Sequence, residues 1–405
     1  MTERWPLYLT GAVFAPLGVV APKGTVPLLF VAALGVLAMA LIRRRQGDRA
    51  GTGSPWLWIT FAVAAGWAAL SIAWTLDPLA GLTTWSRFAA VLLAAFMLCI
   101  ACRTEDPAQA RRLAYIVTGG YVVAALLLIV DQTTGLAARA WYYDTIGRPA
   151  AFDPTLLNRP GAIVLLASWP AAMAMHRLGH TRLAVLAPLL AAVCAFAGVS
   201  TSNKTAIALA LLVAAALWYR RRLAHRILTA CLLAGLVAAP LLPLTVLAPD
   251  RLADRFDDYD SGLHRLYIWE FSAQRIAERP LLGWGLDAAP LIPGGEEKLE
   301  HGGNRMNVHP HNAFLQIWLE LGAIGVALTA VILALLTRRI ARLADPFDAV
   351  CAGGLLVSVL VVANLSFGIW QTWWMAVLAL AGISITATGR IKAAEVRIGR
   401  SVNDM

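Results

Sequence analysis

Residues 313–336 read AFLQIWLELGAIGVALTAVILALL, a long and almost wholly apolar run. A bilayer core about 30 Å thick requires roughly 20 such residues in each spanning helix, so this run predicts a transmembrane helix. Comparable runs recur along the whole chain of 405 residues, which is 59% hydrophobic and only 14% charged. The sequence therefore predicts an all-α polytopic membrane protein.

About twelve apolar blocks are long enough to be predicted as spans. They lie near 5–21, 25–42, 56–76, 87–102, 113–131, 160–175, 183–200, 205–219, 227–247, 313–336, 348–366 and 370–388. We therefore divide the chain into spans 1–9 (1–247, with a smaller loop at 132–159), a large loop (248–312), spans 10–12 (313–388) and a basic tail (389–405).

Lysine and arginine are concentrated in every second connection between these blocks. Basic loops stay in the cytoplasm, so the alternation predicts that both termini are cytoplasmic and that both large loops lie on the outer side of the membrane. The net charge of +10 is explained by this orientation and gives no reason to expect nucleic-acid binding. The basic positions are Arg43, Arg44, Arg45, Arg49, Arg103, Arg111, Arg112, Arg177, Arg182, Arg220, Arg221, Arg222, Arg226, Arg338, Arg339, Arg342, Arg390, Lys392, Arg397 and Arg400.

A few cations on the predicted outer side are not explained by orientation. Arg87, Arg159 and Lys204 each stand at the outer end of a predicted span. One interpretation is snorkelling, in which the stem covers apolar surface and the charge stays in the interface. The other is a site for an anionic lipid phosphate, which suits the donor fork of arginine.

The large loop, 248–312, is too long to be a simple connection and is predicted to contain its own helix. Leu266, Trp269, Ala273 and Ile276 repeat at helical spacing, and Arg265 precedes Trp269 by one turn. The acidic residues of this loop match no calcium-binding pattern, so we expect no metal site there. They include Asp257, Asp258, Asp260, Glu296, Glu297 and Glu300.

The segment His309-Pro310-His311-Asn312 leads directly into the apolar run at 313. An unperturbed imidazole titrates near pH 6.5, which suits proton abstraction from a hydroxyl group. The alternatives are that His311 or Asn312 caps the helix or contacts a lipid headgroup, or that the two histidines bind zinc together with His301.

At this segment the sequence resembles the O-antigen ligase family of inner-membrane enzymes. His311-Asn312, nine residues, then Gly322-x-x-Gly325 is similar to the family's His-Asn-x9-Gly-x-x-Gly motif. The pair Arg265-x-x-x-Trp269 and the stretch Pro280-Leu-Leu-Gly283-Trp-Gly285 resemble the other half of its periplasmic loop.

Two further turns add to the resemblance. Asn158-Arg159-Pro160-Gly161 resembles the segment that opens the helix after the first large loop. The turn from Ser200 to Lys204 resembles a Ser-Arg turn of the family, with lysine in place of arginine. Lysine keeps the charge but loses the planar fork needed for bidentate phosphate contact.

The resemblance implies a GT-C-type glycosyltransferase that transfers polysaccharide from undecaprenyl diphosphate to lipid A core, with no metal or other cofactor. It implies His311 as general base, and Arg265 as a second catalytic residue that stabilises the departing diphosphate. We expect the substrates to be bound by six further residues: Arg159, Arg87, Lys204, Asn312, Trp269 and His309.

Two classes of alternative remain open at this stage. An O-antigen polymerase or a protein O-oligosaccharyltransferase would use the same donor with a different acceptor. A transporter of lipid-linked glycan would use the cations without catalysis, but it would be expected to show internal repeats and broken midplane helices, and no clear repeat is seen.

Overall fold

The computed structural model describes residues 4–43, 55–102, 107–147, 153–252, 261–299, 303–306 and 308–391. Within these ranges the regular elements are helices, and one isolated β-bridge joins Lys298 to Asn304. The α-helices are α1 Trp5–Val20, α2 Thr25–Arg43, α3 Pro55–Ser71, α4 Pro78–Ala101, α5 Pro107–Thr133, α6 Ala137–Thr145, α7 Asn158–Arg177, α8 Thr181–Ala184, α9 Leu186–Ala197, α10 Thr201–Ala238, α11 Pro249–Leu252, α12 Ser261–Glu278, α13 Ala313–Ala341, α14 Pro346–Leu365 and α15 Thr372–Gly389.

In the described part of the chain, eight helical segments are long and apolar enough to cross a membrane, and two shorter apolar helices, Trp5–Val20 and Thr181–Ala197, accompany them. The chain is thus a multi-pass helical membrane protein, as its composition predicts. The count of twelve spans and the GT-C assignment stay predictions.

Helix α7 forms the centre of the bundle. Its side chains are buried from Ala162 to Ala174, and it packs against α1, α5, α9, α14 and α15. A helix that is apolar on every side belongs in the interior. The indole of Trp169 donates to the Ser358 hydroxyl of α14 at 3.0 Å, which satisfies a buried polar group.

Helix α10 reverses direction at Arg220, whose backbone leaves the helical region at φ −137°, ψ 48°. Near its start, the Ser202 hydroxyl hydrogen-bonds the Ser366 hydroxyl, which follows the last residue of α14. Near its end, the Leu236 carbonyl accepts from the Trp318 indole at 2.8 Å, close to the start of α13. Both ends of α10 therefore lie at one end of the bundle, which we call the site end.

Two helix boundaries differ most from the sequence prediction. Helix α4 begins at Pro78 instead of residue 87, because the Asp77 carboxylate accepts from two backbone N–H groups and caps the helix there. Arg87 consequently lies in about the third turn of α4, inside the helix. The ninth predicted span, 227–247, ends as a helix at Ala238, because Pro240 and Pro243 cannot continue the hydrogen-bond ladder.

The large loop contains the helix that its spacing predicts. Helix α12 buries Leu266, Ala273 and Ile276 on one face and ends at Glu278, just before Pro280. The acidic residues Asp257, Asp258, Asp260 and Glu300 of the large loop lie outside the described residues, as do His301 and most of the basic tail.

Candidate active site at the site end of the bundle

The backbone presents His311 in a strained conformation at the entrance to α13. Its φ is +55°, a value that residues with a side chain seldom adopt. On one side the Asn312 side chain accepts from Leu315 N–H at 3.0 Å and caps α13, which confirms the capping alternative for Asn312. On the other side the Trp269 indole donates to the Pro310 carbonyl at 2.8 Å, which ties α12 to the segment.

The His311 imidazole is held in one tautomer. Its Nδ1 lies 2.6 Å from the carbonyl oxygen of Ser366. A carbonyl can only accept, so Nδ1 carries the proton and the Nε2 lone pair is left available. No hydrogen bond to Nε2 is found among the described residues. Burial lowers the pKa of His311 below its ordinary value of 6.5; the Ser366 carbonyl opposes this shift, and the Arg265 and His264 charges add to it.

The His309 ring packs against the His311 ring and accepts a hydrogen bond from the His311 backbone. The two rings are 4.2 Å apart between centroids, and the His311 N–H donates to His309 Nδ1 at 3.1 Å. His309 is only 6% exposed, and burial, followed by the nearby His311 and Arg265, lowers its pKa to about 3. It is therefore neutral at physiological pH. Its expected contact with substrate stays a prediction.

Two of the predicted cations stand at helix starts that meet beside His311. The Arg159 guanidinium lies 5.2 Å from the ring centroid of Trp373, whose indole donates to the side-chain oxygen of Gln371. Gln371 in turn lies 3.1 Å from His309 Nε2. Lys204 follows Asn203, whose side-chain amide donates to the Asn158 carbonyl at 3.0 Å and joins the start of α10 to that of α7.

Arg265 reaches the same region from α12. It stands one turn before Trp269, whose indole donates to the Pro310 carbonyl between the two histidines. Its positive charge adds to the lowering of the pKa of both His309 and His311. Together, four elements bring positive charge and the imidazole to one end of the bundle. In a partly dehydrated site the electrostatic interaction between two charges is stronger than in water.

Arg87 belongs to a neighbouring cluster and is linked to the first one indirectly. One turn before it, the Thr84 hydroxyl donates to Asp287 at 2.6 Å. Burial raises the pKa of Asp287, against the lowering effects of the Thr84 hydrogen bond and the Arg87 charge. Phe88, which follows Arg87, packs edge-on against Trp370, with 5.6 Å between the ring centroids. Trp370 in turn precedes Gln371, which contacts His309.

The segment between α14 and α15, residues 366–371, is a part of the site that the sequence reasoning missed. It supplies the carbonyl that fixes the His311 tautomer and the amide beside His309. The available signal was weak: a short connection on the predicted outer side that contains Ser366, Trp370 and Gln371. Glu320 was also missed, although a carboxylate inside an apolar span is itself a reason to look for function.

The two glycine motifs form one contact between the large loop and α13. Gly283 and Gly322 both have positive φ, at 71° and 61°. A Cβ on either residue would lie 2.7 Å from the backbone nitrogen of the other. The Trp284 N–H donates to Leu319 O at 2.8 Å, and the Ala323 N–H donates to Pro280 O at 2.9 Å. The helix opens at Gly322 and pairs with the loop, so both motifs are structural here.

An apolar cleft of about 330 Å³ opens beside these groups, between the two halves of α10 and the helices α13 and α14. Its lining includes Trp269, Asn312 and Thr205, which is the neighbour of Lys204. The cleft therefore connects apolar helix surface to the cationic cluster.

One group with metal-ligand chemistry lies at the opposite end of the bundle. His176, Asp345 and Asp348 place ligand atoms within 4.8 Å of one another. Arg177 forms an ion pair with Asp348, and His176 Nε2 lies 2.9 Å from the Asp345 carboxylate, so each carboxylate already has a partner. This group is remote from His311 and supplies nothing to it.

The fold and this cluster define a multi-pass membrane protein with a histidine and several cations gathered where helix ends meet a folded loop. Residues 186–330 match the sequence profile of the family described as O-antigen ligase. The matched region contains His311, Arg265 and Lys204, but not Arg87 or Arg159. The resemblance of this chain to the O-antigen ligase family is thus confirmed.

Curated relatives agree with that family. A candidate polysaccharide ligase of Rickettsia prowazekii is 24% identical over 332 residues, which cover 79% of this chain and 76% of that protein. Candidate polysaccharide ligases of Rickettsia conorii and Rickettsia felis are 24% and 26% identical over 262 and 265 residues. In both cases the match covers 63% of this chain and 62% of the relative, less than two thirds of its length.

Proposed function

We propose that the chain is a metal-independent, inverting GT-C-type glycosyltransferase with about twelve spans. It transfers polysaccharide from undecaprenyl diphosphate to lipid A core at the periplasmic face of a bacterial inner membrane, with both termini in the cytoplasm. The observation that carries the proposal is the His311 imidazole, whose Nδ1–H is bound to the Ser366 carbonyl and whose Nε2 is left as a proton acceptor.

The reaction is a direct displacement. His311 Nε2 takes the proton of the acceptor hydroxyl as its oxygen bonds to the anomeric carbon of the donor sugar. The bond from that carbon to the diphosphate breaks, and its electron pair leaves on the diphosphate oxygen. One displacement inverts the anomeric carbon. A general base of this kind typically contributes about 100-fold to 10,000-fold.

The cations supply what the leaving group requires. A departing diphosphate gains negative charge, and positive groups already in place stabilise that charge without reorganisation. Arg265 and Arg159 carry the fork that suits phosphate oxygens, while Lys204 acts as a point charge. Arg87, linked through Phe88 and Trp370, is assigned a more peripheral contact with the same donor.

The apolar cleft supports a lipid-linked donor. A polyprenyl chain lying along α10 would bury apolar surface there and leave its diphosphate beside Lys204 and Asn312. Trp269, which lines the cleft and binds the Pro310 carbonyl, would separate the chain from the sugar.

The test is a transfer assay with purified protein in detergent, using lipid-linked polysaccharide as donor and three acceptors in parallel. Product on lipid A core supports the ligase; product only on a second lipid-linked glycan or only on a protein indicates the polymerase or the protein O-oligosaccharyltransferase. Donor binding without any product, in the absence of a membrane barrier, would leave a transporter and contradict the proposal.

Arg265→Ala tests the cationic part of the proposal. We expect a fall in donor turnover of at least about tenfold, because a charged contact to the leaving group is lost. The matched control is Arg305→Ala, which removes a cation of the same loop from a solvent-exposed ion pair with Glu297. Such pairs contribute little, so the control should retain wild-type turnover. Equal turnover in both variants would contradict the role of Arg265.

A further inference from the structure

Three polar side chains follow His311 along one side of α13, one at its N-cap and two within its first three turns. Asn312, Gln316 and Glu320 are spaced by four residues, so they share one face of the helix. Asn312 caps the helix, but Gln316 and Glu320 are 3% and 0% exposed within an otherwise apolar span. Buried polar groups of this kind are expensive unless every one of them is hydrogen-bonded.

Gln316 and Glu320 are bonded to each other and to the segment 366–371. The Gln316 side-chain amide donates to Glu320 Oε1 at 3.1 Å. Gln316 Oε1 accepts from the Ile369 N–H at 3.1 Å, and Glu320 Oε2 accepts from the Trp370 indole at 2.5 Å. Two successive residues of the segment are therefore fastened to α13.

Glu320 also reaches the large loop. Its Oε2 accepts from the Asp287 N–H at 2.9 Å, where Asp287 has a positive φ of 60°. One carboxylate thus joins three elements: α13, the loop after α12 and the segment before α15. Glu320 lies two residues before Gly322, at which the helix opens.

The fastened segment carries the groups that hold the histidine pair. The Ser366 carbonyl, three residues before Ile369, accepts from His311 Nδ1. Gln371, next to Trp370, contacts His309. Any movement of the segment away from α13 would separate Nδ1 from its acceptor and free the imidazole to adopt the other tautomer.

We propose that Glu320 and Gln316 are positioning residues, which hold the 366–371 segment so that its Ser366 carbonyl keeps His311 in the tautomer with Nε2 free. The inference rests on the proposed function in so far as His311 is the general base. Neither residue contacts the reacting atoms, so their effect is on turnover and not on donor binding.

A matched pair of indole substitutions tests this inference. Trp370→Phe removes the indole N–H that donates to Glu320 and keeps an aromatic ring against Phe88. The control is Trp318→Phe, which removes the indole N–H of a residue of α13 itself. That N–H donates to the Leu236 carbonyl, which does not take part in the hydrogen bonds of Gln316 and Glu320. We expect Trp370→Phe to lower kcat about tenfold with donor KM within about twofold of wild type, and Trp318→Phe to leave both unchanged.

A second measurement reads the tautomer without reference to transfer. The chain has seven histidines, so selective ¹⁵N-histidine labelling and a His311→Gln variant for assignment resolve the His311 nitrogens. We expect wild type and Trp318→Phe to show Nδ1 protonated, and Trp370→Phe and Glu320→Ala to show mixed tautomers. Glu320→Gln, which keeps one acceptor oxygen, should lie between wild type and Glu320→Ala.

The two proposals fail in different ways. If wild type transfers no glycan but Trp370→Phe mixes the tautomers, the proposed function is overturned and the positioning role is supported. If wild type turns over and Trp370→Phe matches Trp318→Phe in both kcat and tautomer, the positioning role is overturned and the proposed function is untouched.

Discussion

His311 combines a strained backbone, a fixed tautomer and a lowered pKa. Its φ of +55° occurs between two fixed contacts: Asn312 caps α13 on one side, and the Trp269 indole binds the Pro310 carbonyl on the other. The Ser366 carbonyl then defines which nitrogen carries the proton. These contacts leave one position, Nε2, for a substrate hydroxyl.

The pKa of His311 sets the pH dependence of the reaction. A general base works when deprotonated, and burial lowers this pKa below 6.5, so the active form persists as pH falls through 6.5. We expect the acidic limb of kcat/KM to lie below pH 6.5, measured over pH 4.5–8. A limb above pH 6.5, or an unchanged limb in His311→Gln, would contradict the assignment.

Arg159 is expected to contribute to donor affinity. Arg159→Gln removes a charge near the proposed diphosphate, so the donor Kd should rise about tenfold, and Arg159→Lys should recover part of that loss. Arg112→Gln is a matched control, because Arg112 also stacks on an aromatic ring, Tyr8, at 5.7 Å and is predicted to be cytoplasmic. Equal donor Kd values in the Arg159 and Arg112 variants would contradict the prediction.

Residues adjacent in sequence were the ones that could be predicted. His311 and Asn312 stand where a polar loop meets an apolar run, and that transition is visible in the sequence. The roles of Ser366 and Glu320 could not be assigned in the same way. Ser366 acts through its contact with His311, which is 55 residues away in sequence, and Glu320 through its contact with Trp370, which is 50 residues away. Periodicity does not encode such pairs.

At the level of elements, the opening of α13 at Gly322 is required for docking of the large loop. At φ 61°, ψ −165°, Gly322 has a conformation that is essentially restricted to glycine. Gly322→Ala should therefore destabilise the protein by about 1 to 3 kcal/mol. Thermal unfolding in detergent should show a Tm several degrees lower. Gly66→Ala, where a Cβ would meet nothing within 4 Å, is the control and should unfold like wild type.

Apolar runs predicted some helix boundaries well. The predicted span at 25–42 corresponds closely to Thr25–Arg43. The start of α4 at Pro78 was missed because the prediction followed the apolar run alone, although its signal is local: Asp77 caps the helix and Pro78 occupies its first position. The break in α13 was not predicted, since Gly322 alone costs little in a helix and becomes a break only when the loop supplies Pro280 and Gly283 as partners.

For the whole molecule, the charge pattern predicts which loops lie on each side of the membrane. The turn of α10 near Arg222 should be cytoplasmic and the loop around Glu296 periplasmic. In a variant without the five native cysteines, Glu296→Cys should react with a membrane-impermeant maleimide in intact cells with a permeabilised outer membrane. Arg222→Cys should react only after lysis. The reverse pattern would contradict the orientation.

The general character of the molecule could be predicted because the bilayer demands long apolar helices, and composition alone reveals them. The sequence did not predict which elements meet at the site end. These are the starts of α7 and α10, the capped start of α13 and the segment 366–371. That convergence depends on how α7 packs at the centre of the bundle and on the reversal of α10 at Arg220.

The central claim is that His311 accepts the proton of the acceptor hydroxyl. Its most direct test is single-turnover transfer by His311→Gln, whose side-chain amide can still donate to the Ser366 carbonyl but cannot accept a proton. The account predicts a rate at least about 100-fold below wild type, with the donor Kd within about twofold. Transfer at the wild-type rate by His311→Gln would contradict the claim.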